Sequence, residues 1–109
     1  MLYKYNFRFN AKHHLKKDKS DEHVHTFDIC ITLIIKEELV ISTEKQIKQY
    51  LQKFQGCSLN KYIDFPIIEN VCEYIYEELE QQGLEIKEIE ISDKPTQSFI
   101  MMIERKERA

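Results

Sequence analysis

Residues 3–13 alternate without interruption. Tyr3, Tyr5, Phe7, Phe9 and Ala11 fall on one side, and Lys4, Asn6, Arg8, Asn10 and Lys12 on the other. This period of two predicts a strand with one buried face. Residues 15–22 form a charged connection. Residues 24–36 then predict a second strand, with Phe27, Ile29, Ile31, Leu33 and Ile35 sharing a face. A helix is predicted to begin near Ser42-Thr43, where Thr43 and Gln46 have capping-box spacing. Ile47, Tyr50, Leu51 and Phe54 form its apolar stripe, and Gly56 is its stop signal. A loop running from Ser58 to Phe65 leads to Pro66 and a second helix. Its stripe is Ile68, Val71, Cys72, Ile75, Tyr76 and Leu79, and Gly83 ends it. Residues 84–92 and 97–105 predict two more strands, divided by Asp93-Lys94-Pro95-Thr96. The order ββααββ defines a single α+β domain over residues 1–109, with both helices on one face of a four-stranded antiparallel sheet.

Composition narrows the picture. A chain of 109 residues is the size of one domain. The net charge of -3, with both signs mixed along the chain, gives no reason to expect nucleic acid or an anionic membrane as partner. No apolar run is long enough to cross a bilayer. The alternating N-terminus lacks the apolar core of a signal peptide, so a cytoplasmic protein is expected. Three cysteines without a C-x-x-C pair form no disulfide framework. Cys30 and Cys72 are expected to be core thiols, and Cys57 falls in a loop.

All four histidines lie in the first quarter of the chain: His13, His14, His23 and His25. Alternate strand residues point the same way, so His23 and His25 share a face. That face continues Phe27, Ile29 and Ile31. His13 has the parity of Phe7, Phe9 and Ala11. If the first two strands form a hairpin, three imidazoles meet at its loop end, on the apolar face of the sheet. Three histidines with an open fourth position suit catalytic zinc; exposed or hydrogen-bonded strand histidines are the plainer alternative. His14 has the opposite parity and belongs on the surface or rim.

The order of elements and several motifs together resemble the family of 6-pyruvoyl-tetrahydropterin synthase and 6-carboxytetrahydropterin synthase, the latter of queuosine biosynthesis. A strand ending F-x-A-x-H-x-L corresponds to Phe9-Asn10-Ala11-Lys12-His13-His14-Leu15. An H-G-H motif corresponds to His23-Val24-His25, and P-T-x-E-N to Pro66-Ile67-Ile68-Glu69-Asn70. The L-N pair before it is matched by Leu59-Asn60. The resemblance implies the tunnelling fold and zinc held by His13, His23 and His25. It also implies a pterin-like substrate gripped by Asp93, where the family has glutamate. A homo-oligomer, trimer or hexamer, with sites between subunits is implied as well.

The family's catalytic cysteine, four residues before H-G-H, falls on Lys19. The glutamate that a folate-pathway variant uses falls on Ser20. The family's Asp-His pair falls on Gln55 and Gly56, which cannot transfer protons at neutral pH. Asp18, Asp21 and Glu22 suit solvated loop charge, and one of them could serve as general base. Cys57 could be a displaced nucleophile, and Lys19 could meet an anionic substrate. Glu69 and Asn70 suit the first turn of a helix. Two functions follow from the resemblance. One is a zinc-dependent pterin enzyme, a carbon–oxygen lyase with altered chemistry. The other is a non-catalytic descendant that binds metal and a pterin, or serves a structural role.

Overall fold

The structure is a computed structural model and describes residues 1–104. Its strands are β1 (Leu2–His13), β2 (His23–Ile34), β3 (Glu85–Lys94) and β4 (Gln97–Met102). Between β2 and β3 lie a 3-10 turn (Glu37–Leu39), helix α1 (Val40–Leu51), a second 3-10 turn (Leu59–Lys61) and helix α2 (Ile68–Gln81). The strands form one antiparallel sheet in the order β1-β2-β3-β4. This is the ββααββ, α+β arrangement that the alternation and the helical stripes predict.

β1 and β2 pair over their full length, from Leu2 opposite Ile34 to His13 opposite His23, with no bulge. The inner face carries Phe9, Ala11, Phe27, Ile29, Ile31 and Leu33, all buried. The outer face is polar, as shown by exposed Lys4, Asn6, Arg8, Thr26 and Asp28. Between β2 and β3 the register shifts at Thr32/Leu33. This bulge brings Ile86 to the inner side together with Ile89 and Ile91, although Ile86 and Ile89 are three residues apart. Both helices cover the inner face. Ile47 and Leu51 enter the core from α1, and Val71, Cys72, Ile75 and Leu79 from α2.

Three local expectations are corrected. Cys30 is half-buried on the outer face, where its thiol donates to Asn6 Oδ1; within an apolar run, its parity opposes that of Ile29 and Ile31. Cys72 alone of the two is a core thiol, and burial pushes its pKa up to about 12. Helix α1 starts at Val40, and Thr43 is buried inside it rather than capping it. Its last residue is Leu51, with turns continuing to Gly56 at φ 70°. Asp93 and Lys94 extend β3, leaving Pro95-Thr96 as a two-residue turn. Residue 105, at the end of the expected fourth strand, lies outside the described residues.

Phe54 anchors the loop after α1. It is fully buried, with its ring centroid 5.5 Å from Phe9, 5.7 Å from Tyr50 and 5.6 Å from Tyr62. Beside it, Lys53 lies over four aromatic rings, the nearest that of Tyr62 at 4.4 Å. Its ammonium donates to Glu78 Oε1 at 2.6 Å and to Tyr74 Oη at 3.2 Å. Burial opposes the charge on Lys53, but these bonds outweigh it and its pKa rises. The cluster ties the end of α1 to α2. Phe54→Ala is expected to cost about 3–5 kcal/mol, measured by urea unfolding. A change within about 0.5 kcal/mol, the size of an ordinary surface substitution, would contradict this packing.

Candidate metal centre

The β1–β2 register puts His13 directly opposite His23, and His25 opposite Ala11. Parity aims all three rings to the inner side of the sheet. Their centroids lie 4.6 Å (His13–His23), 5.0 Å (His13–His25) and 4.3 Å (His23–His25) apart. One ring nitrogen from each can be chosen so that all lie within 4.8 Å of one another. Phe27 forms the floor, its ring edge-on to His13 at 5.9 Å and to His25 at 6.2 Å. His13 is buried, His25 half-buried and His23 exposed, so the cluster is packed on one side and open on another.

Hydrogen bonding orients two of the rings. His13 Nδ1 is 3.1 Å from the carbonyl oxygen of Pro66, and His23 Nδ1 is 2.5 Å from that of Asp21. A carbonyl oxygen only accepts, so each Nδ1 carries the hydrogen and donates it. The Nε2 atoms of the neutral rings then present lone pairs, and these two atoms are 3.1 Å apart. Two facing lone pairs repel unless a cation, a proton or a metal ion, stands with them. Carbonyl-anchored imidazoles are also the arrangement that presets a metal-ligating histidine. The donor set therefore fits a borderline metal such as zinc.

Asp93 lies beside the cluster. Its carboxylate charge and a backbone group both act on His25 to favour protonation, but burial and the proximity of His23 and His13 outweigh them, lowering the His25 pKa. His14 stands outside the cluster, with Nδ1 donating to Lys16 O at 2.8 Å. Two acidic groups of the connection are engaged locally. Asp21 accepts from the Leu15 and Lys16 N–H groups, and Asp18 accepts from the Ser20 N–H. Bonds from these backbone N–H groups lower both carboxyl pKa values. Glu22 and Lys19 are exposed, and Lys19 has φ 60°.

Gln55 and Gly56 lie against β1. Gln55 Oε1 accepts from Asn10 N–H at 2.9 Å, and Gly56 N–H donates to Asn10 O at 2.7 Å. Cys57 continues this contact, its carbonyl accepting from Lys12 N–H at 2.9 Å. Asn70 donates to Phe65 O at 2.8 Å, tightening the entry to α2, while Glu69 is exposed in the first turn. The carbonyls of Pro66 and Asp21 are site groups that sequence reasoning missed, because a backbone acceptor leaves no residue-type signal.

The family model for 6-pyruvoyl tetrahydropterin synthase matches residues 2–104, and the chain belongs to that family. Among solved structures, 6-pyruvoyl tetrahydropterin synthase of Caenorhabditis elegans matches with a TM-score of 0.75 and 16% sequence identity, over 95% of this chain and 96% of that one. An uncharacterized protein from Wolinella succinogenes matches with a TM-score of 0.62 and 10% identity, over 95% and 99%. At these identities the structural likeness shows the fold. No curated protein matches the sequence. No helix among the described residues is long and apolar enough to cross a membrane.

The depressed His25 pKa gives a pH dependence with a definite sign for metal-free protein. In the unfolded chain His25 takes up a proton near pH 6.5, whereas the folded site resists it to lower pH. The unfolded state thus binds more protons in that window, and stability falls as pH drops below about 6.5 toward the folded value. His25→Gln is expected to flatten this slope in chemical unfolding from pH 7.5 to 5. An unchanged slope would show that the site does not resist the charge.

Proposed function

We propose that this chain holds zinc through His13, His23 and His25 and binds a pterin-type ring beside it, without the usual proton-transfer groups of its family. The observation that carries the reading is the preset donor cluster: two Nε2 atoms 3.1 Å apart, each with its Nδ1 anchored on a backbone carbonyl. When bound, zinc would act as a Lewis acid toward oxygen atoms of a substrate side chain. Asp93, next to His25, is suited to a pterin because a carboxylate accepts two hydrogen bonds, from the 2-amino group and the ring N3–H.

At the positions of the family's proton-transfer groups stand Lys19 and the Gln55-Gly56 pair. Gln55 and Gly56 are committed to the edge of β1. Asp18 and Asp21 are committed to their own loop. The reading is therefore of metal and pterin binding with weak or absent family turnover. The open side of the cluster at exposed His23, together with the edge positions of β1 and β4, supports a homo-oligomer whose neighbouring copy closes the pocket.

The zinc-loaded protein is expected to bind dihydroneopterin or its triphosphate in calorimetric titration. Asp93→Asn is expected to weaken binding by about 10–100-fold, from the loss of charged hydrogen bonds worth about 1.5–3 kcal/mol. No measurable affinity for any pterin by the zinc-loaded protein would overturn the reading. Equal affinity in Asp93→Asn would remove Asp93 from it.

A further inference from the structure

We infer that Asn60 is a positioning residue for the metal centre, setting the backbone that carries His13. This inference rests on the metal-site reading above and adds to it a residue that touches neither metal nor pterin. Asn60 lies in the 3-10 turn Leu59–Lys61, which is held down by fully buried Leu59. Its carboxamide makes two bonds to one residue. Oδ1 accepts from the His14 N–H at 3.0 Å, and Nδ2 donates to the His14 carbonyl at 2.9 Å. A single side chain thus supplies both the acceptor and the donor that a neighbouring strand residue would supply.

The placement matters because of the peptide geometry. The His14 N–H belongs to the peptide plane shared with His13, so fixing it fixes ψ of His13. β1 ends at His13, so the sheet's own strand pairing does not extend to His14. The segment 55–66 therefore holds His13 at both ends of the residue. Asn60 holds the peptide that follows it, and the Pro66 carbonyl holds its ring at Nδ1. Upstream on the same strand, the bond from Asn10 N–H to Gln55 Oε1 holds the edge of β1 without touching the His13–His14 peptide. Gln55 is thus a matched control.

The test compares unaltered protein, Asn60→Ala and Gln55→Ala, each stripped of metal and titrated with cobalt(II), then with zinc in competition. Circular dichroism monitors folding. Asn60→Ala is expected to bind cobalt about 10-fold or more weakly, the usual effect of losing a group that orients a ligand, with an altered visible spectrum. Gln55→Ala is expected to keep the affinity and spectrum of the unaltered protein. Should Asn60→Ala fold too poorly to titrate, Asn60→Gln, which displaces the same amide by one methylene, takes its place with the same expected losses. Unchanged affinity and spectrum in the folded Asn60 variant, or an equal change in Gln55→Ala, would overturn the inference. Failure of the unaltered protein to bind either metal would instead remove the metal-site reading beneath it.

Discussion

The β1–β2 register is the constraint on which the rest depends. Twelve residues of each strand pair without a bulge, ending with His13 opposite His23. A slip of one residue would turn every side chain of one strand to the opposite face. Phe27, Ile29, Ile31 and Leu33, all buried, resist that slip because it would exchange them for Thr26, Asp28, Cys30 and Thr32. The hydrophobic core thereby fixes the position of the histidines. The histidine cluster occupies the last two turns of the pleat, where the same inner face passes from packed hydrocarbon to imidazole.

The helical layer contributes through its connections. Phe54 and the Lys53–Glu78 cluster fasten the loop that follows α1. From that loop, backbone groups of Gly56 and Cys57 run beside β1, and the Pro66 carbonyl reaches the ring of His13. Opposite them, the connection between the strands folds on itself through Asp21, whose carbonyl faces His23. Two of the three imidazoles are thus oriented from opposite sides by irregular backbone, while the sheet sets their spacing. Regular structure supplies position and loops supply orientation, which is the division a preformed site requires.

Much of this was legible in the sequence because strand alternation carries directional information. The shared parity of His13, His23 and His25 with the apolar residues of their strands located the cluster. The stripes from Ile47 to Phe54 and from Ile68 to Leu79 located the cover. The misreadings have physical causes. Cys30 shares the parity of Thr26, Asp28 and Thr32, which places it outside; its apolar residue type and the isoleucines on either side suggest a core position that the alternation does not support. Thr43 and Gln46 have the spacing of a cap but lie within α1, because the 3-10 turn at Glu37–Leu39 starts the helical path earlier. The β2–β3 bulge put Ile86 and Ile89 on one face, which simple alternation does not anticipate. The carbonyls of Asp21 and Pro66 were invisible because any residue type supplies the same acceptor.

The central claim is that the hairpin register and its carbonyl anchors prebuild a metal site. It is tested most directly by crystals of the protein grown with equimolar zinc and measured across the zinc absorption edge. The account predicts one anomalous peak about 2.0–2.1 Å from a ring nitrogen of each of His13, His23 and His25, with Nε2 as the ligand atom of His13 and His23. A fully zinc-supplied crystal with no peak among these rings, or with the ion bound through the Nδ1 atoms, would contradict it.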